Sequence, residues 1–146
     1  MRLLRSSTRF LLRAAAYIWA SPYTVAGLAL GLACGGRWRL VRGVVEIHGP
    51  GVRWVLEHLP VSAAAMTIGH TVLGRDPGAL DRTRAHERVH VRQFERWGLL
   101  MGPAYVAASA YAYARGRHFY RDNPFEVEAY AADRRREREH SSAAGR

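Results

Sequence analysis

From Ala14 to Gly36 the chain runs 23 positions without a charged residue, about the length a helix needs to cross the ~30 Å hydrocarbon core of a bilayer. Tyr17, Trp19 and Tyr23 sit toward the N-terminal half of the run, and amphipathic aromatics of this kind favour the lipid–water boundary. Ahead of it, Arg2, Arg5, Arg9 and Arg13 recur at near-helical spacing among Leu3, Leu4, Phe10, Leu11 and Leu12, the pattern of a basic amphipathic helix at a lipid interface. Residues 1–36 therefore read as a basic start followed by a membrane anchor helix. Pro22 divides the run, so a kinked or re-entrant helix is an open alternative. A cleaved signal peptide would have a shorter apolar core, and a lipoprotein signal ending at Cys34 would carry an apolar residue where Gly31 stands. Arg flanks both ends of the run, which leaves the topology open.

What remains of the 146 residues suffices for one domain with a core, over 37–140, and 141–146 read as a disordered tail. The net charge of +10 comes from 22 basic residues, all of them Arg. Such a balance favours an anionic partner, and beside a long apolar run that partner is membrane lipid. No nucleic-acid partner is expected, because Arg82, Arg84, Arg88, Arg92 and Arg96 are scattered around their helix instead of forming one stripe. The single Cys34 excludes an internal disulfide and a paired-thiolate metal site, so any metal must be held by His and carboxylate.

Trp38 to His48 is rich in Val, Ile and Leu, closes on Gly49-Pro50-Gly51 and leads into Val52 to Leu59, which suggests two short strands joined by a turn. A third strand is expected across Met66 to Leu73. After the turn cluster Gly74 to Gly78 the apolar spacing becomes helical through Leu80, His86, Val89, His90, Phe94 and Trp97, and Gly98 ends it. Leu99 to Ala114 is uncharged, with Gly102 and Pro103 inside it. Asn123 then caps a last helix with Pro124 at its first position. The fold class is α+β, a short sheet packed on one central helix.

That central helix carries His86-Glu87-Arg88-Val89-His90. Two imidazoles four residues apart leave one helix face a turn apart and can share a tetrahedral ion, with Glu87 beside the open position. Zinc bound by such ligands acidifies its water to a pKa of about 7, and Glu87 can take the proton as that water attacks a carbonyl and later return it. A third ligand belongs on a separate element. Glu126 and Glu128 lie about 200° apart around the last helix, so only one of them can face the ion. Glu126 shares its face with Ala129, Tyr130 and Asp133, where a small Ala129 permits close helix approach and Asp133 can orient a ligand imidazole. Metal ligands His86, His90 and Glu126 with Glu87 as general base are the resulting assignment. Glu128 would take the ligand role if Glu126 instead served a capping box at Asn123. Gln93 is on the His86/His90 face, either bonded to a ligand or packed at the cleft floor. Trp97, Tyr105, Tyr111, Tyr113 and Phe119 read as core or interface aromatics.

The stretch from His86 through Gln93, together with Glu126-Val127-Glu128-Ala129, resembles the gluzincin branch of the HExxH zinc metallopeptidases. The likeness is greatest to small membrane-associated members with the His-x-x-Gln extension and an Asn-Pro-Phe-Glu opening, and it covers about Thr67 to Asp133. It implies a zincin-like fold, zinc as cofactor, and a peptide or protein substrate near the membrane. It also implies an edge strand before the metal helix that pairs with extended substrate, a role for Ile68 to Val72, with His70 as a weaker catalytic candidate than as a surface or capped residue. Such enzymes commonly carry an Asp four residues after the third ligand, where this chain has Tyr130.

If Leu99 to Ala114 crossed a membrane, His90 and Glu126 would lie on opposite sides. Its sixteen residues span only about 24 Å, so a buried or in-plane helix is expected. The functional expectation is a zinc-dependent peptidase at a membrane surface, at the bacterial cell membrane. The alternative is an inactive zincin-like membrane protein with a binding or scaffold role.

Overall fold

The computed structural model describes residues 2–144, with side-chain surroundings for 14–139 and 141–143. Helix α1 (Arg2–Ala33) leads into strands β1 (Arg37–Val41) and β2 (Val44–His48), helix α2 (Pro50–Glu57), strands β3 (Ala65–Ile68) and β4 (Thr71–Gly74), helix α3 (Pro77–Trp97), a 3-10 turn at Gly98–Leu100, and helices α4 (Met101–Ala114) and α5 (Pro124–Ala144). The fold is α+β. The sheet order is β1-β2-β4-β3, with β2 and β4 parallel and the outer pairs antiparallel.

Every residue of β4 is buried, because the strand is covered on both faces. Val72 joins Val44, Ala65, Leu80 and Val91 in the layer against α3. Leu73 joins Ile47, Val52 and Leu56 on the other side, with Leu28, Leu30 and Cys34 packed there. Helices α1 and α2 therefore cover one face of the sheet and α3 the other.

All three expected strands take a different form. Val52–Leu59 lies mostly in α2, where Pro50 opens the helix and Val52 and Leu56, one turn apart, are both buried; the apolar pair satisfies a helical period better than an alternating one. Trp38–His48 is a hairpin: Arg42 (φ 49°) and Gly43 (φ 80°) make the two-residue left-handed turn that matches strand twist. Arg88 donates to the carbonyls of Val41 and Arg42, bracing a conformation unusual for Arg. Met66–Leu73 likewise turns back on itself at Gly69 (φ 65°).

Helix α1 continues through Pro22. The carbonyl of Ile18, which Pro22 cannot serve, accepts from the Ser21 hydroxyl at 2.7 Å, so the interruption expected there is repaired locally. Ala14–Ala33 is the one described helical segment long and apolar enough to cross a bilayer, yet it is also part of the core. A Cβ on Gly31 would lie 2.6 Å from Ile47 Cδ1, so the helix approaches the sheet as closely as glycine allows. Thr24 Oγ1 accepts from the His70 N–H at 2.9 Å. The outer face of α1 leaves Ile18, Val25 and Leu32 exposed. Side chains of 1–13, with the basic amphipathic pattern, lie outside the described surroundings.

Helix α4 has 14 residues, too few to cross a bilayer core, and is not buried: Met101 and Ala112 face inward, while Val106, Tyr111 and Tyr113 are exposed. It returns the chain so that α5 runs antiparallel to α3, as Gln93 bonds to Phe125 and Glu128 at one end and Arg136 to Arg82 at the other. Helix α5 is continuous to Ala144, past the start of the expected tail, of which 145–146 lie outside the described residues.

Candidate metal centre

Helix α3 starts at Asp76, whose carboxylate accepts from the Ala79 N–H at 2.8 Å, with Pro77 in the first turn, a strong start signal. Its period then places His86, His90 and Gln93 on one face, all buried. Across from them α5 begins at Asn123, which accepts from the Phe125 N–H at 3.0 Å and donates to Tyr105 O and Ser109 Oγ. The cap thus ties α5 to α4 and fixes the rotation that turns Glu126 inward. The Asn123 N–H donates to Tyr120 O rather than to Glu126, so no capping box forms. Ala129 is fully buried and lets α3 and α5 close together.

Donor atoms of three side chains converge. His86 Nε2 and His90 Nε2 are 3.2 Å apart, Glu126 Oε2 is 3.4 Å from the first, and Glu126 Oε1 is 3.5 Å from the second. A tetrahedral ion with bonds of ~2.1 Å needs donors about 3.4 Å apart, and the nearest separations lie close to that, the two to Glu126 being made by its two different oxygens. Among the described residues His86, His90 and Glu126 are the group able to share one ion. Glu126 Oε1 accepts from Tyr105 at 2.7 Å, while Oε2 is buried without a hydrogen-bond partner. Such an orphaned carboxylate oxygen is costly unless a cation or proton serves it.

The outer nitrogens of both imidazoles are held by acceptors. His86 Nδ1 lies 2.9 Å from Asp133 Oδ2, and His90 Nδ1 lies 2.9 Å from Gln93 Oε1. The Gln93 amide nitrogen donates to Phe125 O and Glu128 Oε2, so its oxygen faces His90 and the His90 Nδ1 must donate. Both rings are thereby turned with Nε2 toward Glu126, the orientation that acceptors behind a ligand imidazole impose. Tyr130 stands edge-on to His86 at 4.8 Å; the carboxylate behind that ring comes instead from Asp133, one turn further on the same face.

Glu87 is buried beside the group, and the Thr67 hydroxyl on β3 donates to its Oε2 at 2.6 Å. Burial raises its carboxyl above the usual range, only partly offset by His90, Thr67 and His86. For His86 burial acts to lower the pKa, but Glu126, Glu87 and Asp133 outweigh it and push the ring up to about 9. Burial acts to raise Glu126, yet His86, His90 and Tyr105 hold it down to about 2. The carboxylate is anionic and its donors are aligned, a set suited to a divalent cation of borderline softness.

Glu128 is turned away, pairing with Gln93 and reaching Arg96 at 3.6 Å. The expected edge strand is β3, and Ile68 to Val72 forms its hairpin turn and the start of central β4. His70 is neither a cleft nor a surface residue: it is buried, stacked on Tyr17 at 3.8 Å and bonded to Glu95 at 3.0 Å. Of the aromatics, Trp97 packs on Phe125, Tyr111 and Tyr113 are exposed, and Phe119 lines the cleft. Sequence reasoning missed three contributors. Thr67 carried only the signal of an inward strand position, while Tyr105 and Tyr120 reach the site through α4 and the loop after it and had no local signal. Tyr120 lines the cleft with Tyr130 and Glu126, and burial first, then the Glu126 charge, push its pKa up.

A search of protein-family models, curated proteins and solved structures finds no match to this chain.

Proposed function

We propose that the protein is a zinc-dependent metallopeptidase working at a membrane surface. The observation that carries the reading is the convergence of His86, His90 and Glu126 at tetrahedral spacing with Glu87 at the same cleft. Two neutral imidazoles and one carboxylate are a ligand set of catalytic zinc sites, and the ion, when bound, supplies an acidified water and polarises a carbonyl. Glu87 holds one oxygen on Thr67 and lines the cleft, so it would serve as the general base that takes up a proton and passes it to the leaving amine. Burial raises its carboxyl above the usual range. Asp133 and Gln93 hold the imidazoles in register, and Tyr105 holds Glu126. Tyr120, on the wall shared by both ends of the cleft, is the candidate donor to charge developing on a substrate oxygen. Strand β3 offers a free edge beside Glu87 on which an extended chain can pair.

The membrane assignment is supported by the exposed apolar face of α1 and by Leu99, Leu100 and Val106 at the corner before and along α4. A catalytic domain held there would act on membrane-proximal peptides or proteins.

The test separates an enzyme from a metal-holding scaffold. Elemental analysis of detergent-purified protein is expected to give one zinc per chain, lost in His86→Ala and weakened in Glu126→Ala. Glu87→Gln is expected to keep the zinc and to lower peptide hydrolysis by about 10³-fold. Zinc binding without hydrolysis by the wild type would favour the scaffold, and a wild type without zinc would overturn the reading.

A further inference from the structure

The cleft is two cavities that meet at His86 and Glu87, and their chemistry differs. One, of about 460 Å³, extends along α3 past His90 to Phe94 and along α4 through Met101, Tyr105 and Val106. The other, of about 1030 Å³, extends the opposite way, past Thr83 and Arg82 on α3 and Asp133 and Arg136 on α5, with Arg121 and His118 on its far wall. Because α3 and α5 are antiparallel, the two arms lie on either side of the metal group along one line. The Pro60–Ala65 segment and Phe119–Tyr120 border both.

The first arm is apolar apart from the site itself. The second carries Arg82, Arg121 and Arg136, none of which has a carboxylate within ion-pair distance among the described residues. Elsewhere on the same helix Arg84 is fully engaged by Glu46 and Asp81. Two carboxylates line the basic arm beyond Glu87: Asp133, engaged by His86, and Glu137. Guanidinium groups gathered on a concave wall and left without counter-charge recognise carboxylates.

Resting on the peptidase reading above, we propose that this asymmetry selects the substrate: an apolar residue occupies the Phe94–Met101–Tyr105 arm and a carboxylate occupies the Arg82–Arg121–Arg136 arm. Arg82 precedes His86 by one helical turn, about 6 Å along the axis. At about 3.3 Å per extended residue, the carboxylate stands about two residues from the scissile bond. Its source is either an acidic side chain or the substrate's own C-terminus. The three arginines are exposed, so the preference is moderate and weakens with salt.

Binding is separated from turnover by using zinc-loaded Glu87→Gln and fluorescence anisotropy. The probes are labelled peptides that share one apolar residue and differ only in Asp/Glu against Asn/Gln two residues away, each with a free or amidated C-terminus. The acidic peptides are expected to bind about tenfold tighter at low salt, and the ratio to fall toward one in 1 M NaCl and in Arg82→Gln/Arg136→Gln. Arg121→Gln, on a loop, repeats the test where the double variant loses its zinc. A ratio that follows the amide instead of the side chain assigns the arm to a C-terminal carboxylate. Equal binding of acidic and neutral peptides that the wild type nonetheless cleaves overturns the selectivity and leaves the peptidase intact. Zinc-loaded wild type that cleaves none of them, with no peptide bound by Glu87→Gln, overturns both.

Discussion

Asp133 illustrates how much of a candidate metal site lies outside the residues that would ligate the ion. Its carboxylate 2.9 Å from His86 Nδ1 fixes which ring nitrogen faces Glu126 and raises the basicity of that nitrogen. Asp133→Asn preserves shape but not charge, and is expected to weaken zinc binding about 10-fold to 100-fold, read by competition with a chelator of known affinity. At neighbouring positions the legibility of the sequence differs sharply. His86, Glu87 and His90 are visible because helical spacing alone makes them neighbours. Glu126 is inferable over Glu128 because Ala129 and Asp133 mark its face. Thr67 and Tyr105, which hold the two carboxylates, come from a strand and a helix whose placement no local pattern records.

Among the elements, the β1–β2 hairpin is fastened to α3 by Arg88 at its turn, by the Arg39–Asp81 pair and by one buried acid, Glu46. Glu46 takes Arg84 on both oxygens, at 2.8 and 3.0 Å, and Arg39 at 2.8 Å. Burial acts to raise its carboxyl, but these arginines outweigh it and hold the group below its ordinary 4.5. A folded-state pKa below the unfolded one means that the unfolded chain binds more protons, so stability rises with pH through that interval. The contribution is present above pH 4.5 and is lost as pH falls through the depressed folded value. Glu46→Gln is expected to cost about 2 kcal/mol at neutral pH and to flatten the acid limb of the stability curve, as measured by urea unfolding between pH 3 and 7. The hairpin itself was concealed in the sequence, since Trp38–His48 reads as one apolar stretch and only Arg42-Gly43, with both φ positive, turns it. Val52–Leu59 misleads for a related reason: eight residues are too few for a period to declare itself, and burial of Val52 and Leu56 against the sheet decides for helix.

For the whole molecule, α1 is at once the segment apolar enough to enter a bilayer and one cover of the sheet. Deleting residues 2–33 would uncover Ile47, Leu73 and the α1-facing side of β4, and would remove Trp19 and Tyr23, which hold the corner between α3 and α4. The deletion is therefore expected to leave an aggregating chain without a cooperative thermal transition, whereas a detachable anchor would leave a soluble, folded domain with its His86-His90-Glu126 group. Circular dichroism and gel filtration of the truncated protein distinguish these outcomes.

The sequence by itself determined what depends on separations of a few residues: the α+β alternation, the one long apolar helix, the His-Glu-x-x-His face and the capped start of the Glu-bearing helix. Each of these follows from the 3.6-residue period or from a cap, and both act within a turn or two of chain. Tertiary structure decided that α1 packs on the sheet instead of standing apart, that β3 rather than Ile68–Val72 forms the edge at the cleft, and that three arginines from α3, α5 and a loop share one wall. Those arrangements join residues about 15 to 55 positions apart, and only the burial of apolar faces against one another selects among the ways of bringing them together.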